Sequence, residues 1–219
     1  YRSTDAGKNW RMIEGIEHTT IPVVFDPVDE ETCYVAHSIG FFLTNGWAIS
    51  KSEDKGRTWR RLYGFTGAYS RNTITTLAIN PLNTDEMFAG TAGPKPGRIL
   101  KSATGGRFWK ASDAGIPESA AVIGIYFIEP VDLARGKQSP FRLCAVTDSG
   151  PYVSADGGVT WQPSRAGLGA GGAFVDAAQA SSDVIYAATA FMREGEGLAG
   201  GIYRSADGGR TWARTSSPV

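Results

Sequence analysis

Five short turns are the first places in this chain where chemistry could reside. Residues 3–10, 52–59, 102–109, 154–161 and 205–212 each fit Ser-x-Asp-x-Gly-x-Thr-Trp in whole or in part. A carboxylate two residues before a glycine suggests a calcium loop. Calcium takes about six to eight oxygen ligands, and each turn offers one carboxylate or two. The expectation is therefore no metal and no cofactor. His18 and His37 stand alone and read as hydrogen-bonded loop residues rather than as ligands or bases. Cys33 and Cys144 lie more than two repeats apart and read as buried thiols rather than a disulfide. The glycine-rich run 167–172 lacks the Gly-Lys-Ser/Thr ending of a phosphate loop. A different chemistry, stacking, is offered by Phe41, Phe42 and Trp47 within 37–47, read as one long loop, and by Tyr63, Phe65, Tyr69 and Arg71 in the next connection. These could form a platform for sugar rings or a patch for a protein partner, or they could cover the top of a core.

The elements that must position these residues follow from the repeat. Trp10, Trp59, Trp109, Trp161 and Trp212 recur about every 50 residues, the period of a repeat architecture. The 219 residues include 28 glycines and 11 prolines, a composition of many short strands and tight turns. Each repeat has four parts. An apolar strand (21–25, 74–79, 122–128 and a weaker 174–178) suits burial on both faces. A second strand pairs large apolar residues with small ones, as in Met87-Phe88-Ala89-Gly90. A third ends at the motif serine, and a fourth begins at the motif tryptophan. Four antiparallel strands per unit describe a blade of a β-propeller, so the fold class is all-β. The expected layout is one domain over 1–219, with a partial blade at 1–16 and blades at about 17–65, 66–115, 116–166 and 167–219. About four and a half blades do not close a ring neatly. Tyr1-Arg2-Ser3 matches Tyr203-Arg204-Ser205, so the chain opens inside a repeat. The reading is a fragment of a larger propeller, or a ring completed by a partner or a second copy.

Lys plus Arg and Asp plus Glu are both 22, which argues against a nucleic-acid partner. No apolar run approaches the roughly 18 residues that span a bilayer.

The repeated turn resembles the Asp-box, or BNR repeat, of sialidases, family 74 xyloglucan-degrading glycosidases, sortilin-type receptors and photosystem II assembly factors. The turns at Ser52, Ser154 and Ser205 match at every defined position. The first has Asn9 for Thr, and the third has Thr104 for Asp and Phe108 for Thr. The motif's own chemistry explains a hairpin: Asp bonds backbone two residues on, Gly takes positive φ, and Trp buries apolar surface. The resemblance implies that the boxes lie away from the ligand face. It also implies extracellular or periplasmic location. Thr147-Asp148-Ser149-Gly150-Pro151-Tyr152 resembles the segment carrying a catalytic Asp in the family 74 enzymes. Asp148 would there be one of two carboxylates flanking a glycosidic bond. The sialidase arginines and tyrosine cannot be assigned. Two functions remain. One is a non-enzymatic scaffold binding a protein or polysaccharide through Phe41, Phe42, Trp47, Tyr69 and Arg71. The other is a family 74-like glycosidase, or a piece of one, using Asp148.

Overall fold

Each apolar run is too short for a helix and is bounded by Gly, Pro, Asn or Asp, so the chain folds as strands. The computed structural model describes residues 1–14, 16, 21, 23–39, 46–65, 72–94, 98–128, 141–169, 173–194 and 197–215. The first sheet holds β1 (Val24–Phe25), β2 (Cys33–Ile39), β3 (Gly46–Ser52) and β4 (Arg60–Phe65). The second holds β5 (Thr73–Ile79), β6 (Glu86–Ala92), β7 (Ile99–Ala103) and β8 (Lys110–Ala111). The third holds β9 (Val122–Ile128), β10 (Arg142–Thr147), β11 (Gly150–Ser154) and β12 (Gln162–Pro163). The fourth holds β13 (Phe174–Gln179), β14 (Ile185–Glu194), β15 (Gly197–Ser205) and β16 (Ala213–Arg214). Strands pair in chain order within each sheet, all antiparallel. These are blades of a β-propeller. Upstream of them, Arg2 and Arg11 form an isolated bridge.

The core lies between the blades. Successive residues of a strand face opposite ways, so the second strands of the two middle blades, β6 and β10, each serve two cores. Met87 packs with Ile49, Ile74 and Leu100 between the first and second blades. Its neighbour Phe88 packs with Val122, Leu143 and Trp161 between the second and third. Leu143 and Cys144 divide in the same way, Cys144 joining Ile128, Ile185 and Trp212. The small residues permit close approach: a Cβ on Gly90 would stand 2.5 Å from Val122 Cγ1.

Three expectations need correction. Residues 37–47 are not one loop, because His37, Ser38 and Ile39 pair with Ala48, Trp47 and Gly46. Ladder bonds outweigh the turn-like composition by satisfying the backbone. The glycine-containing run 191–200, whose composition reads as the equivalent loop of the last blade, belongs largely to strands for the same reason, with Met192, Arg193 and Glu194 opposite Ala199, Leu198 and Gly197. The first strand of the fourth blade is not buried on both faces. Phe174 is buried, but Val175 is 55% exposed, since β13 packs only toward the third blade among the described residues.

Both cysteines are buried free thiols. Burial raises the Cys33 thiol, and burial reinforced by Asp207 pushes Cys144 up to about 12, so neither is a ready nucleophile.

Candidate functional site

The boxes use their own polar groups. Asp54 Oδ1 accepts the Thr58 N–H at 2.9 Å and Oδ2 accepts the Thr58 hydroxyl at 2.7 Å. Ser52 Oγ donates to Asp54 at 2.7 Å and accepts the Gly56 N–H at 2.8 Å. Asp156 with Thr160, and Asp207 with Thr211, repeat the pattern. The carboxylate thus reaches three and four residues on rather than the two expected, and the serine hydroxyl takes the N–H two residues beyond the carboxylate. In the first box Asn9 supplies both donors to Asp5. In the third, Thr104 Oγ1 accepts the Phe108 N–H at 3.0 Å, and the Phe108 ring is 71% exposed.

These bonds favour the ionised carboxylates. The Asn9 backbone bond, then its side chain and Ser3, hold Asp5 at about 2. At Asp156 burial acts upward, but the Thr160 and Ser154 bonds outweigh it and hold the group at about 2. Asp54 is lowered chiefly by the Thr58 N–H. Asp207 is lowered by Thr211 and Ser205 against an upward push from burial. Each group is more acidic folded than unfolded. Its contribution is therefore present above the unfolded carboxylate range and is lost as pH falls through the folded pKa. Thermal melts should be flat down to about pH 5, then fall steeply between about pH 4 and about pH 2. An Asp54→Asn, Asp156→Asn, Asp207→Asn triple variant should lose most of that dependence.

The last two boxes also clasp the preceding blade, so they do more than fold their own hairpins. Ser112 Oγ donates to Gly158 O at 2.6 Å, Trp161 Nε1 donates to Ser112 O at 2.8 Å, and Trp161 N–H donates to Ala114 O at 2.8 Å. Ser164 Oγ and Ala166 O meet Gly209 O and the Trp212 N–H in the same way. Parallel bridges join Ala114 to Thr160 and Ala166 to Thr211. Gly115 and Gly167 lie directly against the carbonyls of Trp161 and Trp212, leaving no room for a Cβ. Sequence reasoning missed these partners. Their signal is that Ser112 and Ser164 each stand three residues after a box tryptophan, with Ala-Gly following.

The opposite end of the blades carries the other candidates. Asp148 sits in the tight β10–β11 turn, half-buried. Its Oδ1 accepts the Ala121 N–H at 3.0 Å and its own N–H donates to Ala121 O at 2.9 Å. Its carbonyl accepts the Phe174 N–H at 3.0 Å. Asp148 therefore ties together the approaches to β9, β10 and β13. His37 is a strand residue, not a loop residue, and is 3% exposed with Nε2 2.9 Å from Ser50 Oγ. Trp47 on β3 and Tyr63 on β4 are half-buried against the core between the first two blades. Phe41, Phe42, Tyr69, Arg71 and His18 lie outside the described residues, as does the side chain of Phe65. Among the described residues no three His, Cys, Asp or Glu side chains gather as a metal site, and no helix is long and apolar enough to cross a membrane.

With blades and boxes in place, comparison with known proteins becomes informative. A family described as BNR/Asp-box repeat matches residues 152–163, so the chain carries an Asp-box repeat. A probable oligoxyloglucan-reducing end-specific xyloglucanase of Neosartorya fischeri is 28% identical over 148 residues, covering 65% of this chain and 17% of that protein. An ancestral GH74 enzyme aligns with a TM-score of 0.62 at 20% identity, over 92% of this chain and 24% of the other. The GH74 xyloglucanase from Xanthomonas campestris aligns with a TM-score of 0.61 at 18% identity, over 89% of this chain and 29% of the other. The likeness to the solved structures establishes the propeller fold. The chain spans 17% of the length of the curated relative.

Proposed function

We propose that this chain is part of a non-catalytic propeller that binds a neutral polysaccharide at the end opposite its boxes. The observation carrying this reading is the engagement of Asp148. Its carboxylate caps the Ala121 N–H, and its backbone bonds Ala121 and Phe174, which is the work of a strand tie. Trp47 and Tyr63, half-buried at the same end, supply ring surface. The zero formal charge suits an uncharged glycan. Phe41, Phe42, Tyr69 and Arg71 belong to the proposed surface by their place in the sequence. An extracellular or periplasmic setting goes with such a ligand.

The second reading, hydrolysis with Asp148 as one of two carboxylates, draws on the sequence identity with the xyloglucanase. Xyloglucan separates the two, assayed both for retention in affinity electrophoresis and for release of reducing ends. Wild type should be retained without releasing reducing ends. Trp47→Ala should weaken retention about tenfold or more, as loss of an aromatic anchor does. Asp148→Ala should bind within about twofold of wild type but lose about 1–2 kcal/mol of stability through the orphaned Ala121 N–H. Reducing ends released by wild type and abolished in Asp148→Ala would establish the hydrolytic reading instead.

A further inference from the structure

The boxes repeat a structural role, so departures from their pattern mark a place where that role is relaxed. Four departures meet at one joint, between the first and second blades. Leu62 stands three residues after Trp59, where the other two joints have Ser112 and Ser164. Thr104 and Phe108 replace the Asp and Thr of the box that faces this joint. Lys51 donates to Glu53 of its own blade at 2.6 Å, whereas its equivalent Lys101 reaches across to Gly157 O at 2.8 Å. Tyr34 stands where the next blade has Phe88, each in register with its lysine.

The result is a gap instead of a clasp. A cavity of about 390 Å³ opens at this joint on the box end, within the size range of small-molecule sites. Tyr34 lines it, is 3% exposed, and its hydroxyl has no hydrogen-bond partner among the described residues. Burial, and then the nearby Asp26, Glu53, Asp85 and Asp29 carboxylates, raise its pKa, so the hydroxyl stays protonated and able to donate. A hydroxyl that lines the cavity without an internal partner is available to a bound ligand. The lining carries Asp26, Asp29 and Asp85 against Lys51, Arg60 and Arg107, so its formal charges cancel. Cancelling charges disfavour an ion. Carboxylates that accept, guanidiniums that donate and a hydroxyl that does either match a ligand rich in hydroxyl groups. Leu62 adds an apolar patch for the face of a ring.

From this geometry we infer that the joint cavity between the first two blades is a binding site for a neutral saccharide, with the Tyr34 hydroxyl and the Asp85 carboxylate as its polar anchors. This site lies at the box end and does not rest on the reading of the opposite end. The probes are glucose, xylose, cellotetraose and a xyloglucan heptasaccharide, measured by calorimetric titration on the full chain. Titrations are run in the wild type and in a Trp47→Ala background, which weakens any binding at the opposite end about tenfold or more. At least one probe should bind in both. Tyr34→Phe and Asp85→Asn, each added to Trp47→Ala, should weaken that binding about fivefold or more, the loss of one buried hydrogen bond. Tyr34→Phe should leave the melting temperature within about 2 °C, because the hydroxyl it removes has no partner in the free protein. Four results would overturn the inference. One is that no probe binds. Another is binding that survives both Tyr34→Phe and Asp85→Asn unchanged. The third is Ca²⁺ binding at this joint in place of every saccharide. Binding in the wild type that vanishes in Trp47→Ala alone would support the opposite end and sink this site.

Discussion

Gly158→Ala is expected to destabilise the chain by about 2–5 kcal/mol, whereas Gly7→Ala is expected to cost only about 1–2 kcal/mol. The two glycines hold equivalent positions in their boxes and share the same φ of 86°. Both substitutions therefore impose the same left-handed strain on an L-residue, roughly 1–2 kcal/mol. The difference lies in what the new methyl meets. At Gly7 the nearest atom is Trp10 Cζ2 at 3.7 Å, ordinary contact. At Gly158 the methyl would stand 2.5 Å from Phe88 Cε1 and 2.8 Å from its Cζ, on the preceding blade. Phe88 is fully buried and cannot retreat without disturbing Phe127, whose ring packs edge-on at 5.7 Å. Overpacking of that kind adds about 1–3 kcal/mol. Denaturant titration of both variants gives the comparison directly, with midpoints compared at constant slope. Equal losses would mean that the box stabilises only its own hairpin.

The same distinction explains what the sequence could and could not disclose. The turn chemistry was legible because it is local: Ser52, Asp54, Gly56 and Thr58 complete their hydrogen bonds within seven consecutive residues. Strand positions were legible because the apolar pairs, such as Met87 with Phe88, feed two cores on opposite faces. The clasps were not legible. The bond from Ser112 to Gly158 spans 46 residues, and a serine after a short strand has many ordinary explanations. Asp148 shows the same limit at the candidate site. Its resemblance to a catalytic segment lies within six residues, while its partner Ala121 lies 27 residues away. The extended β2–β3 hairpin was hidden for a related reason. Glycine and aromatic residues near 40–47 read as a loop, yet the register opposite Ala48 and Trp47 depends on cross-strand pairing. Local composition reports local geometry, and both the joints and the ligand surfaces are made of contacts between distant segments.

The tryptophans extend this reasoning to the strength of each joint. Trp161→Ala should cost about 3–5 kcal/mol, the usual range for deleting a buried large aromatic. Trp161 is 1% exposed in the core between the second and third blades, and its indole N–H bonds Ser112 O on the neighbouring blade. Its loss opens a cavity, leaves a carbonyl without its donor and removes one side of the clasp together. Trp10→Ala should cost less than about 1 kcal/mol, because an exposed side chain leaves no cavity behind. Trp10 holds the same motif position but is 61% exposed, and its N–H bonds Gly7 O within its own turn. Trp109 falls between them. It is half-buried against the core of the first joint, and its N–H bonds Gly106 O in its own box rather than the blade before. An ordered series, with Trp161→Ala most severe, Trp109→Ala intermediate and Trp10→Ala mildest, follows from where each N–H goes and how much of each ring is covered. Thermal or denaturant melts of the three variants test it. If Trp109→Ala matched Trp161→Ala, the first joint would be as tightly closed as the second, contrary to the cavity and the missing serine that set it apart.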